Sequence, residues 1–205
     1  MTTISMDLFA ATFAALMRMT PHKTDTESRP EREARMRVIA SAIHEATLRA
    51  ACSGRYAAPD CKPIFSDRRT LTALLLGKGH FESDFAEYVH TGHCERGPVG
   101  ARCDSDRNGV ARAHGPWQQW ERSVFPHEDW SVMNTATQEA TDLAAWHAAK
   151  LLAGSRSMCK AEFGGDEIQG AIAGFSGSCT MGMARSKVQY QAATVRRILA
   201  TLPAE

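Results

Sequence analysis

Apolar residues recur at helical spacing along most of this chain. Met6, Phe9, Phe13, Leu16 and Met17 form a period within residues 1–19 that reads as a short amphipathic helix. The polar stretch 20–29 that follows is expected to be a mobile link. Pro30 and Glu31 then suit a helix start, and Met36, Ile39, Ala40, Ile43 and Ala50 supply its apolar face. Within 71–90, Leu71, Leu74, Leu75, Phe85 and Val89 mark one face of a further helix. Residues 91–114 are irregular, and a segment of that length inside a domain is more often functional than not; a small hairpin within 91–113 fits it. Helices are expected again near 135–153, 166–174 and 184–202. The last turns Val188, Val195, Ile198, Leu199 and Leu202 inward before Pro203 ends it. Strand signals are weak, and there is neither an internal repeat nor a low-complexity tract. The pattern predicts a mainly α protein, with 1–29 as an N-terminal helix and link and 30–205 as the principal domain.

One carboxylate interrupts the apolar face of the 71–90 segment. At about 100° per residue, Glu82 lies roughly 20° from Leu71 around the axis, whereas Asp84 and Glu87 project toward solvent. Desolvation favours the protonated form of an acid, and a carboxylic acid that keeps its proton near neutral pH can deliver it to a leaving oxygen. A plainer role is equally open. Lys78, one turn earlier on the same face, is spaced to pair with Glu82 in a structural bridge.

The residues around Glu82 extend this reading. Phe81-Glu82-Ser83-Asp84-Phe85, then Ala113-His114-Gly115-Pro116-Trp117-Gln118, then Ala171-Ile172-Ala173-Gly174-Phe175-Ser176-Gly177, resemble the ordered signatures of the lysozyme-like superfamily, especially lytic transglycosylases and goose-type lysozymes. In those families a Glu-Ser closes a helix, a Gly-hydrophobic-hydrophobic-Gln turn follows a loop of variable length, and an Ala-x-x-Tyr-Asn-x-Gly run comes third. Here Phe175 stands in place of the Tyr and Ser176 in place of the Asn. The resemblance spans about 70–202 and rests on the order of the set, since each motif is short. It implies a lysozyme-like helical domain with a long active-site loop or small hairpin. It also implies cleavage of the β-1,4 glycan strands of peptidoglycan with no cofactor. Glu82 would be the general acid or acid/base, and Ser83, Gly115, Trp117, Gln118, Phe175 and Ser176 would line the substrate.

Such cleavage needs a proton at the glycosidic oxygen and a means of meeting the oxocarbenium-like centre left behind. Asp104 and Asp106, in the loop 103–109, are candidates for a second catalytic carboxylate. Lytic transglycosylases, by resemblance, manage with one acid because the substrate's own 6-hydroxyl attacks and leaves an anhydro product. The Asp-rich loop also suits a solvated turn or, less readily, a calcium loop, although it lacks the ligand spacing and terminal Glu of an EF-hand. Trp117 and Trp120 have faces suited to sugar stacking, yet a buried Trp usually belongs to a core, which is the expectation for Trp120. Gln118 offers an amide for an acetamido group or for holding Glu82. Two other readings stay open: a wall-binding or virion structural protein of the same fold, favoured by Phe175 and Ser176, and a chitin- or chitosan-cleaving enzyme.

Composition narrows the field. The chain has 205 residues, 43% hydrophobic and 23% charged, enough to bury a core in one domain. A formal net charge of +1 argues against nucleic acid and gives little long-range attraction to an anionic wall, so recognition falls to the cleft of an expected monomer. His80, His90, His93 and His114 flank the motifs, but no His-Glu-x-x-His or paired Cys-x-x-Cys spacing supports a metal site. There is no phosphate loop, dinucleotide fingerprint or Gly-x-Ser-x-Gly elbow. Six cysteines, Cys52, Cys61, Cys94, Cys103, Cys159 and Cys179, bracket loops in sequence-adjacent pairs. Adjacent pairing is preferred among the fifteen connectivities possible. Disulfides would imply an oxidising compartment such as periplasm, a virion or the cell exterior; six thiols in a cytosolic protein is the plain alternative. Residues 1–19 lack a basic n-region and a cleavage site, Asp7 interrupts them, and no run approaches a transmembrane length. A phage product carried in a virion or released at lysis fits this combination, as does a secreted protein read without its leader.

Overall fold

Helix starts in this protein are fixed by side chains that satisfy the first free backbone N–H groups. Ser28 caps α2 (Arg29–Ala50) through a reciprocal pair with Glu31, and Pro30 sits in the first turn. Asp67, Thr137 and Asp166 cap α3 (Arg68–Ser83), α6 (Gln138–Cys159) and α7 (Glu167–Phe175) in the same sense, each accepting from backbone N–H groups of the first turn. The computed structural model describes residues 3–92, 113–120, 126–180 and 184–204. Four further helices lie among them: α1 (Thr3–Arg18), α4 (Glu87–His90), α5 (His127–Val132) and α8 (Arg185–Thr201). The strand content of the described residues is one antiparallel pair, β1 (Ala113–His114) and β2 (Gln119–Trp120), with Ala113 opposite Trp120. The protein is thus mainly α, as the apolar periodicity predicts.

The predicted apolar face of α2 is fully buried at Met36, Ile39, Ala40, Ile43 and Ala50. These residues share one core with Leu71, Leu74 and Leu75 of α3, the alanine-rich face of α6, and Val188, Ala192 and Val195 of α8. Leu8, Ala15 and Leu16 bring α1 into the same cluster. Helix α7 approaches α6 closely because Gly174 has no side chain: a Cβ there would sit 2.6 Å from the Ser155 Cβ and 2.9 Å from the Cys159 Sγ. Disulfides join Cys52 to Cys61 and Cys159 to Cys179, with Cα separations of 5.8 and 5.0 Å. These are two of the preferred adjacent pairs; Cys94 and Cys103 lie outside the described residues. Among the described residues no helix is long and apolar enough to cross a membrane.

Two local expectations are corrected. The 71–90 segment is not one helix: α3 ends at Ser83, Asp84 and Phe85 take left-handed conformations (φ 54° and 51°), and the chain restarts as α4. The 20–29 stretch is not a loose link, because its carboxylates are buried against α2. Asp25 and Glu27 side chains are 2% and 5% exposed and pair with Arg32 at 3.5 and 3.6 Å. Helix α5 had no apolar period to announce it. The loop 91–114 lies largely outside the described residues, and the hairpin observed brackets the Gly115 turn at its end.

Candidate functional site

Three segments distant in sequence meet at the C-terminal end of α3. Glu82 occupies the last turn with its side chain 22% exposed, and its carboxylate pairs with Lys78, whose side chain is 0% exposed. The Lys78 Nζ also lies 3.4 Å from the Ser176 Oγ and 4.8 Å from the centre of the Phe175 ring, at the end of α7. Ser176 in turn donates to the Ile172 carbonyl at 3.3 Å. The structural bridge between Lys78 and Glu82 that the spacing allows is therefore formed, and it opens onto the third motif segment.

The neighbouring serine makes the other junction. Ser83 Oγ donates to the Pro116 carbonyl at 2.7 Å and accepts from the Phe85 N–H at 3.1 Å, tying the end of α3 to the Gly115 turn. In that turn Gly115 has φ +69°, and a Cβ would sit 3.2 Å from the Ala144 Cβ, so a larger residue would push the turn off α6. Gln118 is buried. Its backbone N–H and side-chain Nε2 donate to the Gly115 carbonyl at 3.0 and 3.2 Å, so this amide braces its own turn.

Trp117 requires a correction. Its ring is 0% exposed, its Nε1 donates to the Leu75 carbonyl at 2.9 Å, and it meets Phe85 edge to face. An indole with no exposed face offers none to a sugar. The expectation for Trp120 as core is likewise only partly met, since it is half-buried. Asp104 and Asp106 lie outside the described residues, as does His93. His80 pairs with Asp84 at 3.1 Å, and His114 stacks on Trp130 while its Nδ1 donates to the Trp130 carbonyl at 2.8 Å. His90 is buried against Thr141, its Nε2 at 2.8 Å from the Thr141 Oγ1. Burial, with the Arg35 guanidinium as a second cause, pushes the His90 pKa down to about 3.

Sequence reasoning missed the residues that hold the turn after Ser83. Phe85 folds its ring back over Gly79, where a Cβ would lie 2.1 Å from the Phe85 Cζ. Arg35 Nη1 donates to the Phe85 carbonyl at 2.6 Å, and Arg35 Nε donates to Glu27 at 2.7 Å. Asp25 accepts from the Glu87 N–H at 2.9 Å, and Glu87 accepts from the Thr26 N–H at the same distance. The 20–29 segment thus straps the α3–α4 turn through buried charges. The signal available was the pairing of two acids in that stretch with Arg32 and Arg35 in the next helix.

The assembly pairs a partly exposed carboxylate with a buried ammonium, and the Ser176 hydroxyl lies beside that ammonium. No protein family, no curated protein and no solved structure was found to match this chain.

Proposed function

We propose that this protein cleaves the β-1,4 glycan strands of peptidoglycan, with Glu82 as general acid/base, in the manner of the lysozyme-like superfamily its motifs resemble. The observation that supports this most is the convergence of the three motif segments: Ser83 bonds Pro116, 33 residues away, and Lys78 meets Ser176, 98 residues away, both within one turn of Glu82. Glu82 protonates the glycosidic oxygen, the C1–O bond breaks, and a hydroxyl, from water or from the substrate's own 6-position, adds to C1 and returns a proton to the carboxylate. The two disulfides and the absence of a membrane-spanning helix among the described residues fit an extracytoplasmic site of action, whether periplasmic, secreted or virion-borne.

A second reading, a wall-binding or virion structural protein, is favoured by Phe175, whose ring lies beneath the Lys78 ammonium and brings no hydroxyl to Glu82. A zymogram on purified cell walls separates the two. Clearing by the wild type, and its loss by on the order of 10²- to 10⁴-fold in Glu82→Gln, is the expected result. Clearing by the variant at more than about half the wild-type rate would remove Glu82 from the mechanism. Product masses then assign hydrolysis (reducing ends) or transglycosylation (1,6-anhydro ends).

A further inference from the structure

Glu139, Asp142 and Trp146 follow one another at steps of three and four and so share one face of α6, while Glu45 and Arg49 stand one turn apart on α2. Between these faces lies a groove of about 370 Å³, the size of a small-molecule site. Tyr56 completes its lining from the short 3-10 helix Gly54–Tyr56, in the loop that the Cys52–Cys61 disulfide closes. Asp142 is roughly 200° around α6 from Ala144, which meets the Gly115 turn, so the groove faces away from that turn.

Its charges are unbalanced. Three carboxylates line it against one guanidinium, that of Arg49, which lies 4.1 Å from the centre of the Trp146 ring. At the rim Arg55, with its side chain 66% exposed, reaches Glu45 Oε2 at 2.8 Å and donates to the Tyr56 hydroxyl at 3.0 Å. That Glu45 oxygen is shut off from solvent, and the Arg55 contact lacks hydrogen-bond geometry. Asp142 accepts from Gln138 Nε2, a neutral donor, at 2.7 Å. Burial, with the Glu45 charge as a smaller cause, pushes the Asp142 pKa up against the opposing Gln138 bond and Arg55 charge. A carboxylate so placed gains from a cation brought beside it.

We infer that this groove binds a small organic cation, an alkylammonium whose charge sits between Glu45 and Asp142 and whose carbons lie along Trp146 and Tyr56. A bare metal ion fits less well, since among the described residues no three His, Cys, Asp or Glu side chains are grouped to hold one. A sugar also fits less well, because Arg49 already lies over the indole on which a pyranose would stack. An ammonium needs only carboxylates and aromatic walls, and both are present. Arg55 is its competitor: the ligand takes its place on Glu45, and the exposed guanidinium turns to water. The site is independent of the glycan-cleaving reading, because Glu82 is not among its walls.

Cadaverine, a five-carbon diamine, is the probe, titrated into the oxidised full chain and followed by calorimetry and tryptophan fluorescence. Saturable binding with a Kd of about 1 mM or tighter is expected, and the uncharged five-carbon diol should not bind. Asp142→Asn keeps an oxygen for Gln138 but loses the charge, so it should weaken binding about tenfold or more. Arg55→Gln removes the competitor and should tighten binding about two- to fivefold, whereas a site built to use Arg55 would lose affinity. Nα-acetyl-lysine amide carries the same alkylammonium on a peptide unit; tighter binding than cadaverine assigns a peptide's lysine as the source, weaker binding a free amine. Glu82→Gln should bind cadaverine as wild type does, whatever its effect on wall lysis. Wild type that binds neither amine, equal binding of the diol, Asp142→Asn as tight as wild type, or Arg55→Gln no tighter overturns the inference. Should Asp142→Asn lose its melting transition, Glu45→Gln replaces it with the same expected loss.

Discussion

At Glu82 the stability of the fold and the chemistry proposed for this residue depend on the same contact with Lys78. Removing one partner of a buried ion pair commonly costs about 3 kcal/mol or more, because the other charge is left without compensation. Glu82→Gln keeps an oxygen that can accept from the Lys78 ammonium, whereas Glu82→Ala keeps none. The Ala variant should therefore be less stable than the Gln variant by about 1 to 3 kcal/mol in urea denaturation. Equal stabilities would mean that the pair contributes nothing to folding. The position of Glu82 and its spacing to Lys78 were legible in the sequence because both follow from the geometry of one helix. Trp117 was not. Which tryptophan of a turn enters the core depends on the left-handed conformations at Gly115 and Gln118 (φ 69° and 48°), and apolar periodicity carries no trace of them.

At the level of the element, the end of α3 shows how a correct pattern led to a wrong boundary. Phe85 and Val89 are buried, as the helical period required, but they arrive through two left-handed residues and a restarted helix. A turn that returns the chain to the same core face leaves the period intact, so the break is invisible to it. The strap at 20–29 was hidden for a different reason: charged residues read as solvated unless their partners are known, and here the partners are the arginines of the next helix. Gly79 tests the construction. Gly→Ala inside a helix ordinarily stabilises by about 0.5 to 1 kcal/mol. Here the new Cβ would fall 2.1 Å from the Phe85 ring, so the ring must leave its seat and carry the Arg35-anchored turn with it. Gly79→Ala should destabilise by about 1 to 3 kcal/mol and, on the proposed glycan-cleaving function, lower wall lysis without touching substrate. A raised melting temperature with full lysis would show that the Phe85 seat does not govern the site.

For the whole molecule, helix content follows from periodicity, and the pairs Cys52–Cys61 and Cys159–Cys179 agree with the preference for sequence-adjacent pairing. What composition could not reveal is how histidine burial sets the response to acid. His44, His90 and His147 are each held below their ordinary pKa of 6.5, with burial the largest cause in every case and His90 reaching about 3. The unfolded chain binds protons on these rings as pH falls through about 6.5, while the native protein resists binding them. Native stability is thus fully present above that pH and declines as pH falls from about 6.5 toward 3. Asp166, where burial raises the pKa but hydrogen bonds with Gln169 and Arg196 together outweigh it and lower the pKa from 3.8, adds a loss of the same sign in a lower window, below about 4. His90→Gln isolates the histidine contribution. It retains a side chain able to bond Thr141 but cannot titrate, so its urea midpoint should fall less steeply than that of the wild type between pH 6.5 and about 3 and run parallel to it below. Parallel curves across the upper window would assign the acid lability to groups other than His90.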